Sequence, residues 1–141
     1  MNAPQLVHAS CVAIDEKGVL IIGPSGAGKS DLALRLIDRG AQLVGDDYVL
    51  VVRENDVLRA APPEQLVGKL EVRGVGLCRF DHVSNIGLTL IVDLAQPPVR
   101  LPDPQETELL GIKLPLLHLL PHEASAPIKV ELAMKQGVGV I

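Results

Sequence analysis

Aromatic side chains are almost missing from this chain: among 141 residues there is one tyrosine, Tyr48, one phenylalanine, Phe80, and no tryptophan. The core must therefore be assembled from Leu, Val, Ile and Ala. Stacking of bases on aromatic rings cannot be a main recognition device, which argues against single-stranded nucleic acid as a ligand. Positive charge is short as well, with 13 Lys and Arg against 17 Asp and Glu, a formal net charge of −4 and no dense basic run. That argues against nucleic acid as a partner, because a phosphate backbone demands clustered cations. Only two cysteines, Cys11 and Cys78, are present. They are too few for a disulfide framework, and both sit in apolar stretches, as reduced core thiols do. No apolar run is long enough to cross a bilayer, and the N-terminus lacks the basic and apolar regions of a signal peptide. The expectation is a cytoplasmic protein without a membrane partner. The length suits one domain with its own core.

What is present is a complete phosphate-binding loop. Residues 23–30 read Gly23-Pro24-Ser25-Gly26-Ala27-Gly28-Lys29-Ser30, the form G-x-x-x-x-G-K-[ST]. Gly23 and Gly28 allow turns that a side chain would block, and the loop amides then face inward around phosphates. Lys29 adds a point charge at the terminal phosphates, and the Ser30 hydroxyl is placed for magnesium. Val19-Leu20-Ile21-Ile22 before the loop is apolar as a buried strand should be. Asp31 to Arg39 after it has helical character, which sets the phosphates at a helix N-terminus. Gly40 is placed to cap that helix.

The rest reads mainly as strands. Val7 to Ile14 forms a hairpin with the strand before the loop, turning at Asp15 to Gly18. Ala41 to Val44 runs into Gly45-Asp46-Asp47. Tyr48 to Arg53 and Val57 to Ala61 pair about Glu54-Asn55-Asp56. Ile86 to Val92 is an apolar run ending at Asp93, and Leu114 to Leu120 is extended. Residues 96–104 carry four prolines, which exclude a helix interior or central strand. Ile128 to Gln136 has helical spacing. The proportion of strands is high for a nucleotide-binding fold, where strand and helix ordinarily alternate.

Four further features bear on chemistry. Asp46-Asp47 at a strand end is either a solvated turn or, near phosphates, a magnesium ligand and a base for an attacking hydroxyl. On a strand the two would point opposite ways and need separate partners. Glu71 and Arg73 are two apart and on a strand would face the same side: a cross-strand ion pair, or an acid and a base for a metal and an anion. His8 stands alone in an apolar strand, where a satisfied core or edge residue is the bland alternative. Asp93 has the position of a magnesium-side aspartate after an apolar strand, a common and unspecific arrangement.

In order, His8, the loop 23–30, Arg39-Gly40, Leu43-Val44-Gly45-Asp46-Asp47 and Glu71-Val72-Arg73-Gly74-Val75-Gly76 resemble the catalytic domain of bacterial HPr kinase/phosphorylase, from about His8 to about Lys135. The resemblance implies an α/β P-loop kinase domain with a strand-rich mixed sheet, related to phosphoenolpyruvate carboxykinase, and a single catalytic domain over 1–141. It implies ATP- and Mg2+-dependent phosphorylation of a serine on an HPr-type phosphocarrier protein, and in many members the reverse removal by inorganic phosphate. By position, Asp46 matches the acid that deprotonates the serine, with His8 beside it. Asp47, Ser30 and Glu71 match the magnesium side, Lys29 and the loop amides hold the β-phosphate, and Arg73 falls in the signature linked to dephosphorylation. Asp93 then becomes structural.

Typical members carry a separate N-terminal domain of about a hundred residues. With His8 so early, the expectation is a short form without that domain, like those of proteobacteria. An arginine-rich stretch before the last helix is expected to be replaced by Ala126-Pro127-Ile128-Lys129, which leaves phosphorylase activity and assembly into a homo-oligomer open. A small-molecule kinase and a nucleotide-sensing module without catalysis are the alternatives.

Overall fold

In the computed structural model, which describes residues 3–139, the apolar strand ahead of the loop sits inside a large sheet. The chain order is β1 (Gln5–Val7), β2 (Ser10–Ile14), β3 (Lys17–Ile22), α1 (Lys29–Asp38), β4 (Gln42–Gly45), β5 (Val49–Glu54), β6 (Val57–Ala61), β7 (Lys69–Val72), β8 (Gly76–Arg79), β9 (Ile86–Asp93), β10 (Glu106–Leu109), β11 (Ile112–His118) and α2 (Ala126–Gln136). Nine strands form one mixed sheet in the order β1-β5-β6-β9-β3-β2-β4, with β11 parallel to β9 and β10 antiparallel to β11; β7 and β8 make a separate hairpin. The strand-rich mixed α/β class expected from the sequence is what folds.

Alternation along β3 divides the core. Val19 and Ile21 face α1 and α2 with Val12, Leu32, Leu36, Leu43, Leu90 and Val130. Leu20 faces the opposite way, into a second cluster with Cys11, Val44, Val49, Val51, Leu58 and Ile91. Among the described residues no helix contributes to that second cluster; strands from both ends of the sheet meet there, so the sheet curls around its own apolar side chains. A bulge at Thr89 makes this possible. Gly18 pairs with Leu88 but Val19 pairs with Leu90. The extra residue shifts the pleat, so that Leu88 joins the second cluster while Leu90 and Val92 join the first.

Helix α1 carries Leu32, Ala33 and Leu36 on its buried face. It ends on a Schellman turn: Gly40 N–H donates to Ile37 O (3.0 Å) and Ala41 N–H to Leu36 O (3.0 Å), with Gly40 at φ 111°. Only glycine takes that angle without strain.

Three expectations are corrected. The stretch Val7 to Ile14 is two strands broken at His8-Ala9, because β1 pairs with β5 whereas β2 pairs with β3 and β4. Strands β8 and β10 were not expected: Gly76-Leu77-Cys78-Arg79 and Glu106-Thr107-Glu108-Leu109 are exposed or half-exposed throughout and lack the apolar alternation of a half-buried strand. Cys11 is a core thiol, fully buried, but Cys78 is only half-buried on the β8 hairpin. No helix among the described residues is long and apolar enough to cross a membrane.

Candidate active site

Strands β3, β9 and β11 run parallel and their C-terminal ends open on one side, where ligands gather in sheets of this kind. Residues 23–28 turn from β3 into α1. Gly28 is the N-cap of α1 with φ 102° and makes no side-chain cap, so the first amides of the helix stay free for an anion. A β-carbon on Gly28 would stand 3.4 Å from Pro121 Cβ; the segment after β11 therefore closes over the loop.

Lys29 is 7% exposed. Its Nζ donates to Gly23 O (2.7 Å) and Pro24 O (2.9 Å), folding the ammonium back across the loop. Burial lowers its pKa from the ordinary lysine value, with Asp47 and then Asp46 acting in the opposite sense.

The two aspartates part company. Asp46 is 4% exposed. Its Oδ1 accepts from Ser10 Oγ and from Ser30 Oγ, each at 2.7 Å, and its Oδ2 accepts from the Glu71 N–H at 3.3 Å. Asp47 turns outward at φ 67°, its side chain 61% exposed, with Oδ1 3.4 Å from His8 Nε2. The His8 ring in turn lies 5.2 Å, centroid to centroid, from Tyr48. Separate partners for the two carboxylates were expected, but the pairing is reversed. The family resemblance implies His8 beside Asp46, and Asp47 with Ser30. In the structure the break between β1 and β2, held by the Ala9 N–H to Asp47 O bond (3.2 Å), brings His8 to Asp47, and burial brings Asp46 to Ser30.

His8, Ser25, Gly26, Gly28, Lys29, Ser30, Asp47, Glu71 and Arg73 line one cleft of about 450 Å³. Gly23, Pro24 and Ala27 complete the loop behind it. Glu71 is the penultimate residue of β7, its N–H on Asp46, and Arg73 follows the strand in the turn into β8. Asp93 is not among the lining residues. Its Oδ1 accepts from the Ala95 N–H (2.8 Å), and its Oδ2 lies 3.5 Å from His118 Nδ1. A nucleotide phosphate fits the loop's free amides and Lys29. A hydroxyl backed by a buried carboxylate, as Ser30 is by Asp46, is the oxygen donor set that Mg2+ takes while keeping waters and phosphate oxygens.

Four residues of the site escaped the sequence reading. Ser10 is fully buried and satisfies Asp46; a serine inside an apolar strand was its only signal. Arg35, paired with Asp31 one turn earlier at 3.1 Å, donates to Pro121 O and to Glu123 O (3.1 Å) and so ties α1 to the segment after β11. Pro121 and His122 form the cleft wall opposite Gly28. They, and not Ala126 to Lys129, face the loop; Ala126 and Pro127 are buried in the first turn of α2. Ser10→Ala removes one of three donors to a buried carboxylate. It is expected to lower stability by about 1–3 kcal/mol, read from urea unfolding of the unligated protein.

The model of the family described as HPr Serine kinase C-terminal domain matches residues 1–96. The chain is 33% identical to the HPr kinase/phosphorylase of Chlorobium phaeobacteroides (strain DSM 266 / SMG 266 / 2430), over 82% of this chain and 40% of the relative. It is 37% identical to that of Streptococcus thermophilus (strain CNRZ 1066), over 80% of this chain and 41% of the relative. It spans about two-fifths of the length of the curated relatives it matches. Among solved structures, the Hpr(Ser) kinase/phosphatase from Coxiella burnetii superposes with a TM-score of 0.80 at 31% identity, covering 93% of this chain and 94% of that one. On the match over 1–96, the chain belongs to the family of the HPr serine kinase C-terminal domain.

Proposed function

We propose that residues 1–141 act as a single catalytic domain, an ATP- and Mg2+-dependent protein serine kinase whose acceptor is an HPr-type phosphocarrier protein. The observation that carries this reading is the solvent-exposed Asp47–His8 contact in the same cleft that the phosphate loop lines. A nucleotide sensor has no use for a carboxylate oriented by an imidazole and facing outward, and a protein acceptor needs an open side to approach.

The loop amides and Lys29 hold the β-phosphate and offset its charge. Asp47 takes the serine proton as the serine oxygen bonds to the γ-phosphorus and the bridge to the β-phosphate breaks, releasing ADP. His8 orients Asp47 for that transfer. Ser30 and Asp46, with Glu71 at the rim, would hold Mg2+, and the ion would supply positive charge against that developing on the phosphate oxygens. Arg73, which lines the same cleft, serves the reverse step, in which inorganic phosphate removes the phosphoryl group as pyrophosphate. The geometry supports Asp47 as the base and Asp46 on the metal side, the opposite of the division drawn from sequence.

The test mixes the protein, Mg2+ and γ-labelled ATP with an HPr-type carrier. Acid-stable label on a carrier serine is the expected result; nucleotide binding without transfer to any carrier serine would overturn the reading.

A further inference from the structure

Apart from Arg73 in the turn into β8, the cleft holds few cations free to meet a ligand. Lys29 Nζ is shared with two loop carbonyls, Arg35 is spent on Asp31 and on the carbonyls of Pro121 and Glu123, and His8 faces Asp47. His122 is different. Its ring is exposed, lines the cleft and makes no hydrogen bond or ion pair among the described residues. Its backbone is nevertheless fixed on both sides: Pro121 is buried against Gly28, Arg35 bonds the flanking carbonyls, and the Glu123 side chain accepts from Lys129 Nζ at 2.8 Å. A β-carbon built on Gly28 would lie 3.9 Å from His122 Cε1, so the imidazole hangs over the N-cap of α1. The helix there presents free amides, and a phosphate seated on them comes within reach of a ring nitrogen.

Resting on the nucleotide-binding reading above, we propose that His122 donates a ring N–H to the phosphate chain where it crosses the α1 N-terminus, as a binding residue contributed by the segment after β11. A neutral imidazole keeps one N–H to give and a protonated one has two, so donation does not depend on charge. Arg35 acts behind it: by clamping the carbonyls of Pro121 and Glu123 it holds the ring over the loop. The fixed backbone means that little ordering is needed on binding, the condition under which a single added donor shows in affinity.

The test is calorimetric titration with MgADP, and separately with magnesium pyrophosphate, of the wild type, His122→Ala and His122→Gln, with folding checked by thermal melting. His122→Ala is expected to weaken both ligands by about tenfold, the size of one hydrogen bond to a charged group. His122→Gln, which keeps an N–H donor, is expected to recover most of that loss. Wild-type affinity in His122→Ala overturns the proposal, as does equal weakening in the alanine and glutamine variants, which points to packing. A loss seen with MgADP but not with pyrophosphate moves the contact to the nucleoside and overturns it too. A wild type that binds neither ligand fails at the earlier step: it sinks the nucleotide reading itself and takes this inference with it.

Discussion

Asp47→Asn is expected to lower phosphoryl transfer to the carrier serine by about 10²- to 10⁴-fold, the range removed with a general base, while MgADP affinity stays within about twofold. Asp46→Asn is expected to do the reverse in kind. Its carboxylate accepts from Ser10, Ser30 and the Glu71 amide, so the asparagine must set an NH2 group among donors. Magnesium-dependent affinity and stability both fall, and transfer falls with them. The contrast rests on geometry: Asp46 is 4% exposed under the loop, Asp47 61% exposed beside His8. Titration with MgADP and single-turnover transfer on both variants separate the roles. Full transfer by Asp47→Asn would remove Asp47 as the base.

Asp47 also sits in a left-handed backbone conformation, φ 67°, which costs a residue with a β-carbon about 1 kcal/mol relative to glycine. The fold tolerates this strain where the side chain must face outward.

How far the sequence could see is decided at the same place. The strand, loop and first helix are contiguous, so their pattern is local, and the observed helix, Lys29–Asp38, starts two residues before the expected one. The acid pair was legible as a site, but which acid faces which partner was not. The alternation rule that separates neighbouring side chains holds on a strand, and β4 ends at Gly45; beyond it the positive φ of Asp47 sets the direction. His8 meets Asp47 across 39 positions of sequence, through a strand break that its apolar neighbours Val7 and Ala9 disguise. Ser10 lies 36 positions from Asp46 and His122 lies 94 from Gly28. Such contacts leave no periodic trace, because each depends on where the sheet curls. That curl owes part of its form to the one-residue bulge at Thr89, inside what reads as an unbroken apolar run. The departures from local pattern gather near the cleft, as they do where function and not packing selects the residue.

Lys29→Met is expected to weaken MgADP binding by about 10- to 100-fold, the size of a lost charge-assisted hydrogen bond, and to lower transfer by about 10²- to 10³-fold beyond that. The unligated fold should change little. The ammonium is nearly buried, its pKa already lowered by that burial, and methionine has a side chain of similar length without a charge to desolvate. Against this stands the loss of two donors to Gly23 O and Pro24 O, so the net change in unfolding free energy should stay within about 1 kcal/mol. Lys29→Arg is not expected to rescue function, because a planar guanidinium delivers its charge through directed, forked donors where the lysine offers one compact point charge. Urea unfolding without ligand, calorimetry with MgADP and single-turnover transfer together make the case: stability kept, affinity reduced, chemistry reduced further. Equal loss of all three would mean that Lys29 serves to fold the loop and not to hold the phosphate, and transfer unchanged in Lys29→Met would remove it from the chemistry altogether.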